Sequence, residues 1–231
     1  MITRLFSSRV ASVAAAGAVA LGLAAAVASP AQAASAVHPV RTSPWLSGSE
    51  LPLFSSFHWK AEPKTEYTTT GQFQWLYTCG IGDPTSELKT VSVSVMQFGT
   101  SKRVEASQLL FHFKSTAAAK AALAKVERDY ASCAVRLDKE DRTDITSGKP
   151  LHWTVTRTAA ETDGVAYRVT GRDSAGKLAD TPDLPSDAQE LFAQNGATIS
   201  MISIDAESST IDSAAGAAGT LRTMSYRLAH A

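Results

Sequence analysis

The sequence lacks an excess of charge of either sign, since its 231 residues hold 22 Lys and Arg against 22 Asp and Glu. Proteins that bind nucleic acid or anionic membrane surfaces usually carry a basic surplus. This balance therefore gives no electrostatic reason to expect either kind of partner.

The chain also lacks recognisable catalytic and metal-binding motifs. It contains no GxSxG, HExxH or CxxC, and neither His112 nor His152 has a sequence context that pairs it with a particular Ser or Asp. We therefore predict no enzymatic activity, no metal site and no cofactor. A hydrolase with an unrecognised site is the remaining catalytic alternative.

One segment matches the GxxxxGK spacing of a phosphate-binding loop, at residues 171–177. However, Leu178 stands where a Ser or Thr should reach magnesium, and LADTPDLP follows where the start of a helix is required. The segment is therefore predicted to be a turn.

The N-terminus has the three parts of a secretory signal peptide. Arg4 and Arg9 precede a small-residue apolar run, and a small-x-small triplet follows at residues 31–33. A membrane anchor is the competing interpretation, because residues 10–27 are about long enough to span a bilayer. The run has few large side chains and ends in a processing site rather than a basic flank. We expect residues 1–33 to be removed and the protein to be secreted.

The mature chain, residues 34–231, would then have 20 basic and 22 acidic residues, because Arg4 and Arg9 are lost with the signal. Nothing after residue 33 is apolar enough to span a membrane. Residues 34–44 are short, polar and proline-punctuated, which predicts a flexible lead-in. Residues 45–231 have a suitable length for a single domain.

Cys79 and Cys133 are the only cysteines, and both follow the signal segment. In an oxidising compartment an even pair predicts a disulfide. A metal site would need two further ligands at close spacing, which the sequence does not offer. Closing a loop of about 55 residues lowers the conformational entropy of the unfolded chain. On the chain-entropy model, this stabilises the folded state by roughly 4 kcal/mol.

Apolar residues with a period of two predict three β-hairpins. The first joins the alternating valines of 91–95 to a run over 108–113, and the second joins 151–156 to 165–169 across an Asp163-Gly164 turn. The third joins ELFAQ to ATISMISID across Asn195-Gly196. Residues 62–72 and 172–187 are polar and are predicted to be loops.

Two helices are predicted between and after these hairpins. The first is capped by Ser115 or Thr116 and ends near Ser132, and the second lies in the alanine-rich C-terminal segment. A short helical turn capped by Ser47 or Ser49 precedes them. The order predicts an α+β fold, in which an antiparallel sheet carries helices on one face and one disulfide.

The order of these segments resembles the PknH-like extracellular sensor domain family. Six segments follow one another in the order seen in that family, over residues 45–229. They are WLSGSELP, WLYTC, SVSVMQF, LLFHFKSTAAAKAALAKVERDYASC, HWTVTRT and LFAQNGATISMISID. Such domains form the outer part of actinobacterial receptor-type kinases and also occur as secreted proteins. The resemblance implies a cleft for a small ligand, no known catalytic residues, and a Cys79–Cys133 pair matching the family's first disulfide. The family's common second pair and the kinase portion are absent.

The alternation of side chains along the predicted strands indicates four candidate ligand-binding residues: Gln108, His112, His152 and Thr154. If a helix covers the face with Leu109, these polar side chains point to the opposite face. An ordinary solvated sheet face is the alternative, because antiparallel sheets often have one wet side. The leading hypothesis is a secreted, non-enzymatic sensor-type domain that binds a small molecule or cell-envelope component. The alternative is an exported inhibitor or interaction module that presents loop 172–187, or another exposed loop, to a protein partner.

Overall fold

The structure is a computed structural model of the chain. It describes residues 42–67, 77–80, 87–100, 104–140, 143–181, 184–206 and 216–231. The predicted signal segment at 1–33 and most of the predicted lead-in at 34–44 lie outside these residues. In the described part of the chain, no helix is both long and apolar enough to cross a bilayer.

The described strands form one antiparallel sheet. They are β1 (Lys60–Ala61), β2 (Thr65–Tyr67), β3 (Ser92–Gly99), β4 (Val104–His112), β5 (Leu151–Glu161), β6 (Gly164–Asp173), β7 (Asp187–Asn195) and β8 (Thr198–Ala206). Their order is β1-β3-β4-β8-β7-β6-β5, and β2 also pairs with β3. The three predicted hairpins are β3–β4, β5–β6 and β7–β8, and all three are confirmed.

Helices cover both faces of this sheet. The described helices are a 3-10 helix (Gly48–Glu50), α1 (Phe54–Phe57), α2 (Thr116–Lys139) and α3 (Ala217–Ala229). The predicted α+β class, antiparallel sheet and disulfide are confirmed, but the helices do not share one face. The reason is that the central strands are buried on both faces of the sheet. In β7, for example, the first eight residues are all buried, so side chains on both faces pack against other elements.

The first face, here called the α2 face, packs against α2. Ser115 caps this helix as predicted, because its Oγ accepts a hydrogen bond from the Ala118 backbone N–H at 3.2 Å. The helix ends at Lys139 rather than near Ser132. Its buried stripe continues past the predicted end, through Ala119, Ala122, Val126, Tyr130, Cys133 and Leu137. These residues pack on the strand residues that were predicted to face a helix, including Leu109, Phe111 and Trp153.

The second face, here called the α3 face, is covered by α3 and the N-terminal segment. Leu46, Leu51 and Trp59 pack with Leu221 and Met224 over the sheet. Ser47 caps the 3-10 helix as predicted, since its N–H donates to Glu50 Oε2 at 2.7 Å. The Arg227 side chain donates from Nη2 to both Glu50 oxygens, at 2.7 and 2.9 Å, and so joins the first and last described elements.

The two predicted loops contain more regular structure than their composition indicates. Residues 65–67 of the predicted loop 62–72 form β2, because they find partners along β3. In the predicted loop 172–187, Asp173 Oδ1 accepts the N–H groups of Ala175 and Lys177, at 2.8 and 2.9 Å. Residues 178–181 hold no helix, so the turn interpretation of 171–177 is confirmed.

A disulfide joins Cys79 to Cys133, as predicted. Both cysteines are fully buried, and the bond ties the segment 77–80 to α2. Arg136 adds a second tie, because its Nη2 donates to the Cys79 carbonyl oxygen at 2.8 Å. Segment 77–80 is therefore held on the α2 face, beside β7.

We predict that replacing both cysteines with alanine lowers the free energy of unfolding by about 4 kcal/mol, since the unfolded chain regains the freedom of a long loop. Urea denaturation measures the change. Reduced wild-type protein is the matched control, because it loses the cross-link but keeps both side chains. An unchanged urea midpoint in the reduced protein would contradict a stabilising role for the bond.

Two glycines near the start of α3 should respond oppositely to alanine. Gly219 lies inside the helix, and a methyl group added there would meet only open space, so Gly219→Ala should stabilise the protein by about 1 kcal/mol. Gly216 caps the helix with a φ of +105°, so Gly216→Ala should destabilise it by about 1 kcal/mol or more. Urea denaturation of the two variants tests the pair, and a shared sign would show that the helix start differs from this geometry.

Candidate functional site

Gln108 is a buried anchor for the N-terminal segment rather than a residue on an open face. It is 0% exposed. Its Oε1 accepts the Leu46 N–H at 2.8 Å, and its Nε2 donates to the Pro44 carbonyl and to Ser200 Oγ, both at 3.0 Å. The expectation that this face is uncovered is therefore wrong, because α3 and residues 42–51 lie over it.

The other three candidates do not form one site with Gln108. His112 lies on β4 and is partly exposed, with Nδ1 3.4 Å from Thr198 Oγ1. His152 and Thr154 are exposed on β5. Three strands separate β4 from β5, so the two histidines are at least about 19 Å apart at about 4.8 Å per strand. Ligand contact by any one of them stays a prediction.

A cleft opens instead on the α2 face, at the end of β3, β4 and β8. Its cavity volume is about 390 Å³, within the range of roughly 300–1,000 Å³ that is usual for small-molecule sites. The apolar part of its lining includes Val95, Phe98 and Leu109. The polar part consists of Glu62, Gln97, Glu105, Ser107 and Asp205.

The pairing of strands places two of these carboxylates side by side. Glu105 on β4 is the register partner of Asp205 on β8. Directly opposed residues in an antiparallel pair have Cβ atoms about 4.5–5.5 Å apart, and like charges at such positions are destabilising. None of the ion pairs between described residues includes Glu62, Glu105 or Asp205. The cleft therefore concentrates negative charge that no ion pair among the described residues compensates.

Asp205 is perturbed by this setting. Burial raises its pKa to about 7, and the charge of Glu105 acts in the same direction. The Ser203 hydroxyl, which lies 3.1 and 3.2 Å from the two Asp205 oxygens, opposes the shift by donating to the carboxylate. The carboxyl group thus changes charge near neutral pH.

A second acid, Glu190, lies fully buried behind the cleft. On β7 it is the register partner of Ser203, one strand from the cleft floor. Burial raises the pKa of Glu190 to about 8, and the Asp205 charge acts in the same direction. Two donors hold the carboxylate: the Tyr130 hydroxyl, and the Thr78 N–H at 2.9 and 3.2 Å from its oxygens. The segment fixed by the disulfide therefore supplies one of the hydrogen bonds to this acid.

The alternation of side chains along β4 and β8 is the sequence feature that could have predicted a polar site here. On β4, Glu105 and Ser107 have the same parity as the core residue Leu109, and on β8 Ser203 and Asp205 share the parity of Met201. Both strands thus change from apolar to polar on the same face. The sequence alone did not show that these two polar ends are neighbours.

Comparisons with known proteins give a weak resemblance in fold. No family model matches the sequence. No curated protein is similar to it. The crystal structure of the extracellular domain of PknH from Mycobacterium tuberculosis matches with a TM-score of 0.44 and 9% sequence identity. The match covers 74% of this chain and 82% of that chain.

The raised pKa values of Asp205 and Glu190 predict that the protein loses stability as the pH rises. A carboxyl group whose pKa is higher in the folded state binds its proton more tightly there, so stability falls between the unfolded and folded pKa values. The fall should lie between about pH 4 and pH 8 for these two groups.

Asp205→Asn tests this directly. The variant should be more stable than wild type at about pH 8, by on the order of 3 kcal/mol, and similar to it at about pH 4. Urea denaturation at both pH values measures the difference. Asp163→Asn, in the exposed β5–β6 turn, is the matched control and should run parallel to wild type. Equal pH profiles for all three proteins would contradict the assignment.

Proposed function

We propose that this chain is a secreted, non-enzymatic, sensor-type domain of the PknH-like kind, which binds a small cationic molecule in the cleft beside Asp205. The order of sequence segments supports the family, and the signal-like N-terminus supports export. The observation that carries the proposed binding is the cleft itself, in which carboxylates that form no ion pair with a described residue lie beside apolar residues.

The ligand proposed for this cleft is an organic amine. Opposing Glu105 and Asp205 costs stability, and a bound ammonium group would offset that cost by lying between the two carboxylates. The cavity of about 390 Å³ leaves room for much more than an ammonium group. Val95, which keeps some exposure, would contact the hydrocarbon part of such a molecule. Amino sugars and short polyamines belong to this chemical class.

Binding is favoured over catalysis by the position of the one hydroxyl next to Asp205. Ser203 donates to that carboxylate, as a nucleophile paired with a base would. However, Ser203 is 0% exposed, so a substrate in the cleft cannot reach its oxygen. The pair therefore serves to hold the Asp205 side chain in place.

Protein recognition is the second candidate, and one exposed residue favours it. Ile145 is 61% exposed, although its backbone is fixed by a hydrogen bond from its N–H to the Asp180 carbonyl at 2.9 Å. An ordered turn that displays a large apolar side chain is suited to contact with a partner. Binding of a purified envelope protein to the wild-type chain, abolished by Ile145→Asp, would support this function.

The amine proposal is tested by thermal unfolding with spermidine, glucosamine and glucose. A ligand that binds only the folded state raises the melting temperature. We expect an increase with at least one amine and none with glucose at about pH 8, where Asp205 is charged, and a smaller one at about pH 5.

Two variants locate the binding. Asp205→Asn should abolish the increase, whereas Asp163→Asn should keep it. The proposal fails if neither amine stabilises the protein, or if the increase survives in Asp205→Asn.

A further inference from the structure

A second groove lies between α2 and the edge hairpin β5–β6. Its cavity volume is about 470 Å³. Tyr130 and Tyr167 line it together with the small side chains of Ala131 and Ala134 and with Val155 on β5. Because the two alanines lie three residues apart on one side of the helix, they leave space beside the strand. The groove thus combines apolar and polar side chains and is large enough for a small molecule.

The hydroxyl of Tyr167 is an unused polar group in this groove. The residue is only 7% exposed, and its ring stacks on Tyr130 with centroids 3.9 Å apart. The hydroxyls of Tyr77 and Tyr130 donate to Asp129 and Glu190. That of Tyr167, by contrast, makes no hydrogen bond to any residue that the structure describes. Solvent reaches the hydroxyl oxygen although the ring is buried, so this group can hydrogen-bond a ligand in the groove.

Two side chains of opposite charge also line this groove. Arg157 Nη2 lies 3.4 Å from Glu127 Oε1, and both side chains are about half exposed. Such an ion pair contributes only about 0–1 kcal/mol, so a ligand can separate it at little cost. The other guanidinium N–H groups of Arg157 have no partner among the described residues. Both residues line the groove together with Tyr167, and Arg157 is the register partner of Tyr167 across β5 and β6.

The backbone of β5 is irregular at this point. The register between β5 and β6 shifts between Arg157 and Ala159. Arg157 lies before this shift and has the same parity as Val155. Regular strand alternation therefore places it beside its register partner Tyr167, at the groove.

We propose that this groove binds a free α-amino acid with an aliphatic side chain. The α-carboxylate would accept hydrogen bonds from Arg157 and Tyr167, and the α-ammonium group would donate to Glu127. The side chain would lie against Val155 and the two alanines. A molecule with only one of the two charges would leave either Arg157 or Glu127 without its new partner, so the groove favours a zwitterion. This site is separate from the acidic cleft and does not depend on it.

Isothermal titration calorimetry with L-leucine tests the ligand class. We expect leucine to bind, and 4-methylpentanoate, which lacks the amine, to bind at least about tenfold more weakly. Isopentylamine, which lacks the carboxylate, should be weakened to a similar degree. The proposal is overturned if leucine does not bind at millimolar concentration, or if either analogue binds as well as leucine.

Substitutions test the location. Arg157→Ala should weaken leucine binding at least about tenfold, and Tyr167→Phe should weaken it severalfold while the protein stays folded. Arg128→Ala is the matched control, because Arg128 is an exposed arginine on α2 that does not line the groove. It should bind leucine as wild type does.

Asp205→Asn separates this site from the acidic cleft and should also leave leucine affinity unchanged. Affinity lost in Asp205→Asn but kept in Arg157→Ala would place the amino acid in the cleft and overturn the proposal. Melting temperatures of all variants establish that they are folded.

Discussion

The pairing of β4 with β8 is the interaction on which the rest of the structure depends. It aligns nine residues of each strand, from Val104 opposite Ala206 to His112 opposite Thr198. A hairpin alone is at best marginally stable in water, because it cannot bury a face. This one pairing joins the N-terminal hairpin to the two C-terminal hairpins and makes a single wide sheet. Its central strands are then buried on both sides.

Burial on both sides explains the arrangement of the helices. Residues of one parity on β4, such as Leu109, pack under α2, while those of the other parity, such as Gln108, face α3 and the N-terminal segment. A buried amide needs partners, and Gln108 finds them in Pro44, Leu46 and Ser200. The same polar side chain on an uncovered face would have been free for a ligand.

Both concave sites occur where apolar cover of the α2 face stops. At one end of β4 and β8 the inward parity becomes acidic, and the cleft beside Asp205 results. At the β5 edge the helix carries alanines, and the groove beside Tyr167 results. Tyr130 lies between them, since its ring lines the groove and its hydroxyl donates to Glu190. The disulfide supports this arrangement by holding Thr78 on the same carboxylate.

Local signals were sufficient to predict the hairpins, the Ser115 cap and the cysteine pair, because each depends on a short stretch of chain or on the number of cysteines. The end of α2 was misplaced because helix length here follows the buried stripe, which continues to Leu137. What only the tertiary structure decided is which strands are neighbours. The strand order places Gln108 under the N-terminal segment and separates His112 from His152. It also makes Glu105 the register partner of Asp205. Period and turn chemistry act over a few residues, whereas strand order arises from contacts between residues about a hundred positions apart, which no local pattern records.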